Sequence, residues 1–345
     1  MLYVVLFFLM FSLYLYVVLG GADYGAGIVE LFSSKENQKI TKKTIYRVMG
    51  PVWEANHIWI IILIVILWIA FPVYYNIMVV NLHIPLTIVL LGVTLRGVAF
   101  VFRHYDAVID NSQKLYDSLF MISSLITPIF LGMVFGALIS GKIEVVEDVT
   151  ALTFYEAFVQ PWCNVFSILV GLFFAALCAF LSSILLIGES DEKNENIYIR
   201  KSAIATIVVF TIGLLTFGYG YSNGNVFILD FLKSPFAIVA VIFSAMLLIP
   251  LWRTIKKGNK IWSRFFAGLQ VFLILLAALI SHFPDILITK TGSISLIEDI
   301  APDSVIKVLG ISLIIGGTVI LPGLFHLLKS FKMIKILERD NNPLI

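Results

Sequence analysis

Nine apolar runs of about twenty residues, separated by short polar stretches, leave this 345-residue chain one class of fold. The bilayer core offers no water to unpaired peptide groups, so runs of this length cross as α-helices. We place spans at about 2–28, 57–80, 84–103, 118–140, 163–187, 202–221, 235–252, 265–284 and 305–328, making an all-α polytopic membrane protein. A tight turn from Asn81 to Pro85 is expected between the second and third, and the short seventh is expected to end near Pro250. With 60% hydrophobic residues, 13% charged residues and a mean hydropathy of +0.99, a soluble globule is excluded. The first run has no basic residue before it and no small-residue cleavage site, so it reads as a retained span.

Lysine and arginine asymmetry sets the expected orientation. With the N-terminus outside, nineteen of the 24 cations fall on the inner side, among them Lys35, Lys39, Lys42, Lys43 and Arg47. The outer segments hold four, Lys142, Lys233, Lys290 and Lys307, and Arg96 lies within the third span. The expectation is therefore a cytoplasmic C-terminus with the tail cations Lys329, Lys332, Lys335 and Arg339. The longer outer segments are acidic, with Glu144, Glu147 and Asp148 in one and Glu298, Asp299 and Asp303 in the other.

That orientation gives meaning to the polar residues of the first three spans. Asp23 lies in the inner part of the first, with Glu30 two turns on along the same face. Glu54 and His57 open the second, one turn apart, beside Trp53 and Asn56. Arg96 lies about two turns above the inner end of the third, and Arg103 at that end. A charge at a span's centre costs about 2.5–3.5 kcal/mol on insertion scales, so an ionisable cluster reads as functional by default. Here the groups gather toward one leaflet, as proton or ion entry from the cytoplasm requires.

Plainer readings exist for each. Pro51 and the positive helix end would hold Glu54 ionised without any catalytic role. Arg96 with Asp23 would serve as a packing ion pair, and His57 as a core hydrogen-bonding residue. Gly20, Gly21, Gly25 and Gly27, with Gly316 and Gly317 in the ninth span, are small residues that let helices approach. The glycines follow no strand, so no nucleotide site is read from them. His83, His104, His282 and His326 lie at span ends or loops without usable ligand spacing, so no metal is assigned. Cys163 and Cys178 cannot form a disulfide framework, and no Cys-x-x-Cys-His is present to attach haem. No basic cluster with interleaved aromatics suggests nucleic acid.

Four segments carry a resemblance. They are Gly20 to Gly27 (Gly-Gly-Ala-Asp-Tyr-Gly-Ala-Gly), Gly50 to Trp59 (Gly-Pro-Val-Trp-Glu-Ala-Asn-His-Ile-Trp), Leu95 to Arg103 and Thr127 to Gly136. In order and spacing the chain resembles subunit II of cytochrome bd-type quinol oxidases, most closely over the first 140 residues. The resemblance implies two four-helix bundles plus one helix: a first half at 1–140, a second at 141–290, and the ninth span with its tail at 291–345. Only a loose similarity between the halves is visible in the sequence itself. It also implies a larger homologous subunit I that carries haem b and haem d and oxidises quinol, so that catalytic groups lie outside this chain. Some relatives hold a quinone in this subunit, and a small single-span third subunit is a further implied partner, alongside membrane lipid and quinol. Glu54 stands where many relatives carry Asp, and His57 where others carry Gln or Glu. The implied role is a cytoplasmic proton path through Glu54, His57 and Asp23, with Arg96 and Arg103 tuning charge and Trp53 and Asn56 positioning the helix mouth. Two other classes remain: an ion-coupled secondary transporter, disfavoured because no inverted repeat or broken midplane helix is visible, and a purely structural membrane subunit.

Overall fold

The computed structural model describes residues 1–50, 53–105, 112–146, 152–190 and 194–330, with the side chains of 104–105 and 328–330 left aside. Pro51, Glu147, Asp148, Lys193, Lys332, Lys335 and Arg339, and the side chains of His104 and Lys329, therefore lie outside the described residues. Among those described, nine helices are long and apolar enough to cross a membrane: Leu2–Leu31, Trp53–Ala70, Pro72–Arg103, Ser112–Ile139, Val165–Glu189, Glu195–Ser222, Pro235–Lys256, Lys260–Ile280 and Asp303–Leu327. Several begin at a side-chain cap that satisfies an otherwise orphaned amide: Asn164 accepts from Ser167 N (3.0 Å) and Asn259 from Trp262 N (3.2 Å).

Two expected boundaries are corrected. The second span stops at Ala70, not Val80, and Phe71 leaves the helix at φ −129°, ψ 59°. Pro72 is the reason: its ring disfavours helical geometry in the residue before it, while suiting the first position of a new helix. The expected Asn81–Pro85 turn takes the form of a kink: two helical stretches within Pro72–Tyr105 meet at the non-helical Leu82 (φ −117°, ψ 20°), three residues before Pro85. The seventh span likewise continues past Pro250 to Lys256, after a slight break at Leu247. That break puts Pro250 in the first turn of a new helical segment, where its missing N–H is not needed.

The fifth span lies at the centre, against the first, fourth and sixth. Small residues make the close approach. A Cβ on Gly132 would sit 2.7 Å from Gly171 Cα, one on Gly136 2.8 Å from Ser167 Cα, and one on Gly25 2.7 Å from Ser182 Cβ. Helix association in lipid gains nothing from hiding apolar surface, so backbone proximity and dispersion must supply it. The ninth span differs: a Cβ on Gly316 would meet nothing within 4 Å, while one on Gly317 would reach the Phe8 ring at 3.0 Å.

At the end opposite the basic helix Lys35–Met49, a hairpin pairs Leu287–Thr289 with Gly292–Ile294. It is tied to the end of the fourth span by Lys290 N donating to Ile143 O (2.9 Å) and by a Lys290–Glu144 ion pair. Ala301 N donates to Ala70 O (3.0 Å), fastening the approach to the ninth span onto the end of the second. Nearby, His282 stacks on Phe227 (4.7 Å between ring centres), with Nε2 3.6 Å from Asp230 Oδ2. Burial pulls His282 below the ordinary imidazole value of 6.5, against the upward pull of Asp230 and Asp285.

Two outcomes follow. Gly25→Leu should lower the melting temperature of the purified protein, with overpacking costing about 1–3 kcal/mol or more. Gly316→Ala should leave that temperature within error. The depressed value at His282 favours the neutral ring, so its contribution is complete above pH 6.5 and is lost as pH falls through the lowered value. Melting temperature should therefore drop on acidification, and His282→Gln should flatten that part of the profile.

Candidate functional site: stacked ion pairs among the first four spans

Seven-residue spacing organises the site. Asp23 and Glu30 lie seven apart on the first span, Arg96 and Arg103 seven apart on the third, and Asp117 and Ser124 seven apart on the fourth. Two turns of helix bring such pairs onto one face, so three helices present the same rung spacing and close into two tiers.

In the upper tier Arg96 is 1% exposed and Asp23 is fully enclosed. Arg96 Nη1 donates to Asp23 Oδ2 (2.6 Å), Nη2 to the Asp23 carbonyl (2.9 Å) and Nε to Ser124 Oγ (3.0 Å). His57 Nε2 approaches the same carboxylate oxygen at 3.5 Å. The lower tier pairs Arg103 with Glu30 through two bonds, at 2.6 and 3.2 Å. Arg103 Nε lies 3.1 Å from Asp117 Oδ1, which also takes a bond from Lys42 Nζ (2.7 Å). The Phe120 ring lies against both guanidinium groups, 4.9 Å from Arg96 Cζ and 4.4 Å from Arg103 Cζ. Lys201 of the sixth span donates to the Val29 carbonyl (3.2 Å) and to Ser33 Oγ.

Above the upper tier the first span widens into a π-helix at Tyr16–Gly20. In a regular helix, residues eight apart diverge by about 80°. The wide turn absorbs an extra residue and brings Tyr16 and Tyr24 together, with hydroxyls 2.9 Å apart. Both rings flank His57, at 6.1 and 5.6 Å between centres. Four buried polar atoms here have no hydrogen-bond partner among the described residues: Asp23 Oδ1, His57 Nδ1, Trp59 Nε1 and Ser12 Oγ. Such atoms are uncommon in well-packed interiors and call for an account.

Asp23, His57 and Arg96 are thus brought together, and Arg103 forms the tier below. Trp53 packs on Phe100 (5.6 Å between centres) and against Gly97, and Asn56 is buried. Glu54 stands apart. It is exposed, one turn before His57, and its carboxylate makes no ion pair or hydrogen bond among the described residues. Tyr16, Tyr24, Lys42, Asp117, Phe120, Ser124 and Lys201 complete the site without having been singled out from sequence. For Asp117 and Ser124 the signal was available: they repeat the seven-residue spacing of the other two helices. Among the described residues, no three of His, Cys, Asp and Glu are grouped to hold a metal ion.

A family model described as cytochrome bd terminal oxidase subunit II matches residues 1–331. The chain belongs to that family. Cytochrome bd ubiquinol oxidase subunit 2 of Bacillus subtilis is 26% identical over 281 residues, 80% of this chain and 78% of that protein. Cytochrome bd-I ubiquinol oxidase subunit 2 of Escherichia coli K12 is 21% identical over 305 residues, 80% of this chain and 79% of its own. A solved bd oxidase from Geobacillus thermodenitrificans shares the fold at a TM-score of 0.73, covering 97% of both chains at 18% identity. In this cytochrome bd subunit II, three of the four segments that carried the resemblance contribute to the tiers: Asp23 lies in the first, His57 in the second, and Arg96 and Arg103 in the third, while Glu30, Asp117 and Ser124 lie outside them.

Removing one member of a buried pair leaves the other charge uncompensated, at a cost of about 3–5 kcal/mol, whereas removing both costs far less. Asp23→Asn and Arg96→Met should each sharply reduce the folded subunit II recovered from membranes, and the double variant should recover part of it. An additive double variant would show that the two groups are not coupled.

Proposed function

We propose that this chain is the non-haem subunit of a quinol:oxygen oxidoreductase, embedded in a bacterial cell membrane with its N-terminus outside and its C-terminus cytoplasmic. It pairs with a larger homologous subunit I, to which we assign haem b, haem d and quinol oxidation. Its own task is to deliver protons from the cytoplasm toward the partner's oxygen-reducing site. Family membership and the relatives' names support the first part, and the excess of inner cations supports the orientation. The two halves, 1–140 and 141–290, with the ninth span and tail at 291–345, remain the organisation we propose.

The observation that carries the proton path is His57 at 3.5 Å from a buried Asp23 whose second oxygen is unpartnered. The ring and the carboxylate can exchange a proton directly, and the open Nδ1 and Oδ1 are the atoms at which a proton arrives and leaves. Glu54, exposed at the same helix mouth, is the entry group. Arg96 compensates the Asp23 charge and fixes the carboxylate, while Trp53 and Asn56 hold the start of the helix. When subunit I oxidises quinol it releases protons outside and passes electrons to oxygen. Protons taken up from inside through Glu54, His57 and Asp23 then complete water.

Family membership sets the transporter reading aside. The structural-subunit reading is separated by rate. Glu54→Gln and His57→Phe should slow oxygen consumption per assembled complex by about tenfold or more, with subunit ratio and haem spectrum unchanged. Normal turnover in both, at normal assembly, would make the two groups structural.

A further inference from the structure

The second half of the chain holds a chamber that the proton path does not use. About 340 Å³ in volume, it lies between spans four to eight and is walled by aromatic and aliphatic side chains, among them Phe135, Phe173, Phe217 and Ala245. Among the described residues, no ionisable side chain lines it. Phe210 and Leu214, 66% and 67% exposed, border it on the apolar outer surface of the sixth span, so its mouth lies along the flank of the helix bundle.

One polar side chain in the lining is not satisfied. Gln270 of the eighth span is only 5% exposed. Its Nε2 donates to the Ser244 carbonyl (3.1 Å), and Ser244 Oγ donates back to the Gln270 carbonyl (3.3 Å), which fixes the side-chain amide. Gln270 Oε1 is left buried without a partner. Thr206 and Thr216, also in the lining, already donate to Ser202 O (2.7 Å) and Ile212 O (2.8 Å). A water in such a place needs two to four polar partners, and one open acceptor does not supply them.

We propose that the chamber binds an uncharged membrane lipid with a single hydroxyl head, which donates a hydrogen bond to Gln270 Oε1 while its hydrocarbon chain fills the apolar volume. The size lies within the usual range of small-molecule sites, and apolar walls with one placed polar group are how such sites combine affinity with orientation. The absence of charge in the lining selects against phospholipid headgroups. One orphaned acceptor matches one donor. The inference rests on the chamber alone and is independent of the proton path.

The test places a reporter at the mouth, Phe210→Trp, in the complex purified through this chain and reconstituted in phosphatidylcholine vesicles. Its emission is read as the difference from the parent complex. A dibrominated octadecyl alcohol should quench it at about tenfold lower mole fraction than the matching dibrominated alkane, the advantage of one buried hydrogen bond. Gln270→Leu should close that gap to within twofold. Ala245→Phe, which fills the chamber, should reduce quenching to the level of a lipid-facing control, Val319→Trp, and carries the test where Gln270→Leu is not produced. Equal quenching by alcohol and alkane, a gap that survives Gln270→Leu, or quenching no better than the control would each overturn the proposal. So would displacement of the alcohol by a prenylated hydroquinone as effective as by a second alcohol, because the site would then not select a single donor.

Discussion

Two guanidinium groups, two turns apart on the third span, face two carboxylates two turns apart on the first. The arrangement of the first four spans depends on that match. Neither arginine could stay at its depth without its carboxylate, and neither carboxylate without its arginine, since an unpaired buried ion costs several kcal/mol. Because both rungs have the same spacing, satisfying one places the other. A slip of one residue between the helices would break both at once. The pairs thus act as a register device as well as a charge sink, in a medium where apolar packing alone discriminates poorly between registers.

Close packing of the neighbouring helices encloses the pairs. Gly25 and Gly27 allow the first span to press against the fifth and fourth, which shields the tiers from lipid and water. Phe120 uses one ring to contact both cations, so a single aromatic side chain fills the gap between rungs. The π-helix at Tyr16–Gly20 then departs from this regularity above the upper tier, where the unpartnered polar atoms also lie. Regular geometry holds the charges, and irregular geometry surrounds the groups to which we assign proton movement.

Much of this was legible in the sequence, for physical reasons that also mark the limits. Span number followed from apolar run length, because the bilayer fixes how long a run must be. The Asp23–Arg96 contact could be named beforehand, since a buried arginine needs an anion and Asp23 was the carboxylate at its depth. What failed was local. Pro72 lies inside an apolar run, and hydropathy is blind to the missing amide that ends the second span there. The side chains that complete the site from other helices, Lys42, Asp117 and Lys201, depend on rotations that only packing fixes. Glu54, a neighbour of His57 in sequence, is exposed, because the turn Trp53–Asn56 ends at His57 and the two side chains meet different surroundings.

The charge count of the tiers bears on how a proton could use them. With neutral His57, the upper tier holds one carboxylate and one guanidinium, and the lower tier two carboxylates, Arg103 and Lys42. The ion-paired groups of each tier sum to zero, which is what makes permanent burial tolerable, and Lys201 is an added cation held by the Val29 carbonyl and Ser33 Oγ. One added proton gives the upper tier a single positive charge, whether it rests on His57 or on Asp23, so passing it between them leaves the tier's total charge unchanged. A second proton would add a like charge a few ångströms away in a poorly screened interior, where repulsion is strong. On the path we propose, the arrangement would therefore favour one proton at a time. Arg96, always charged, compensates the Asp23 carboxylate without a proton.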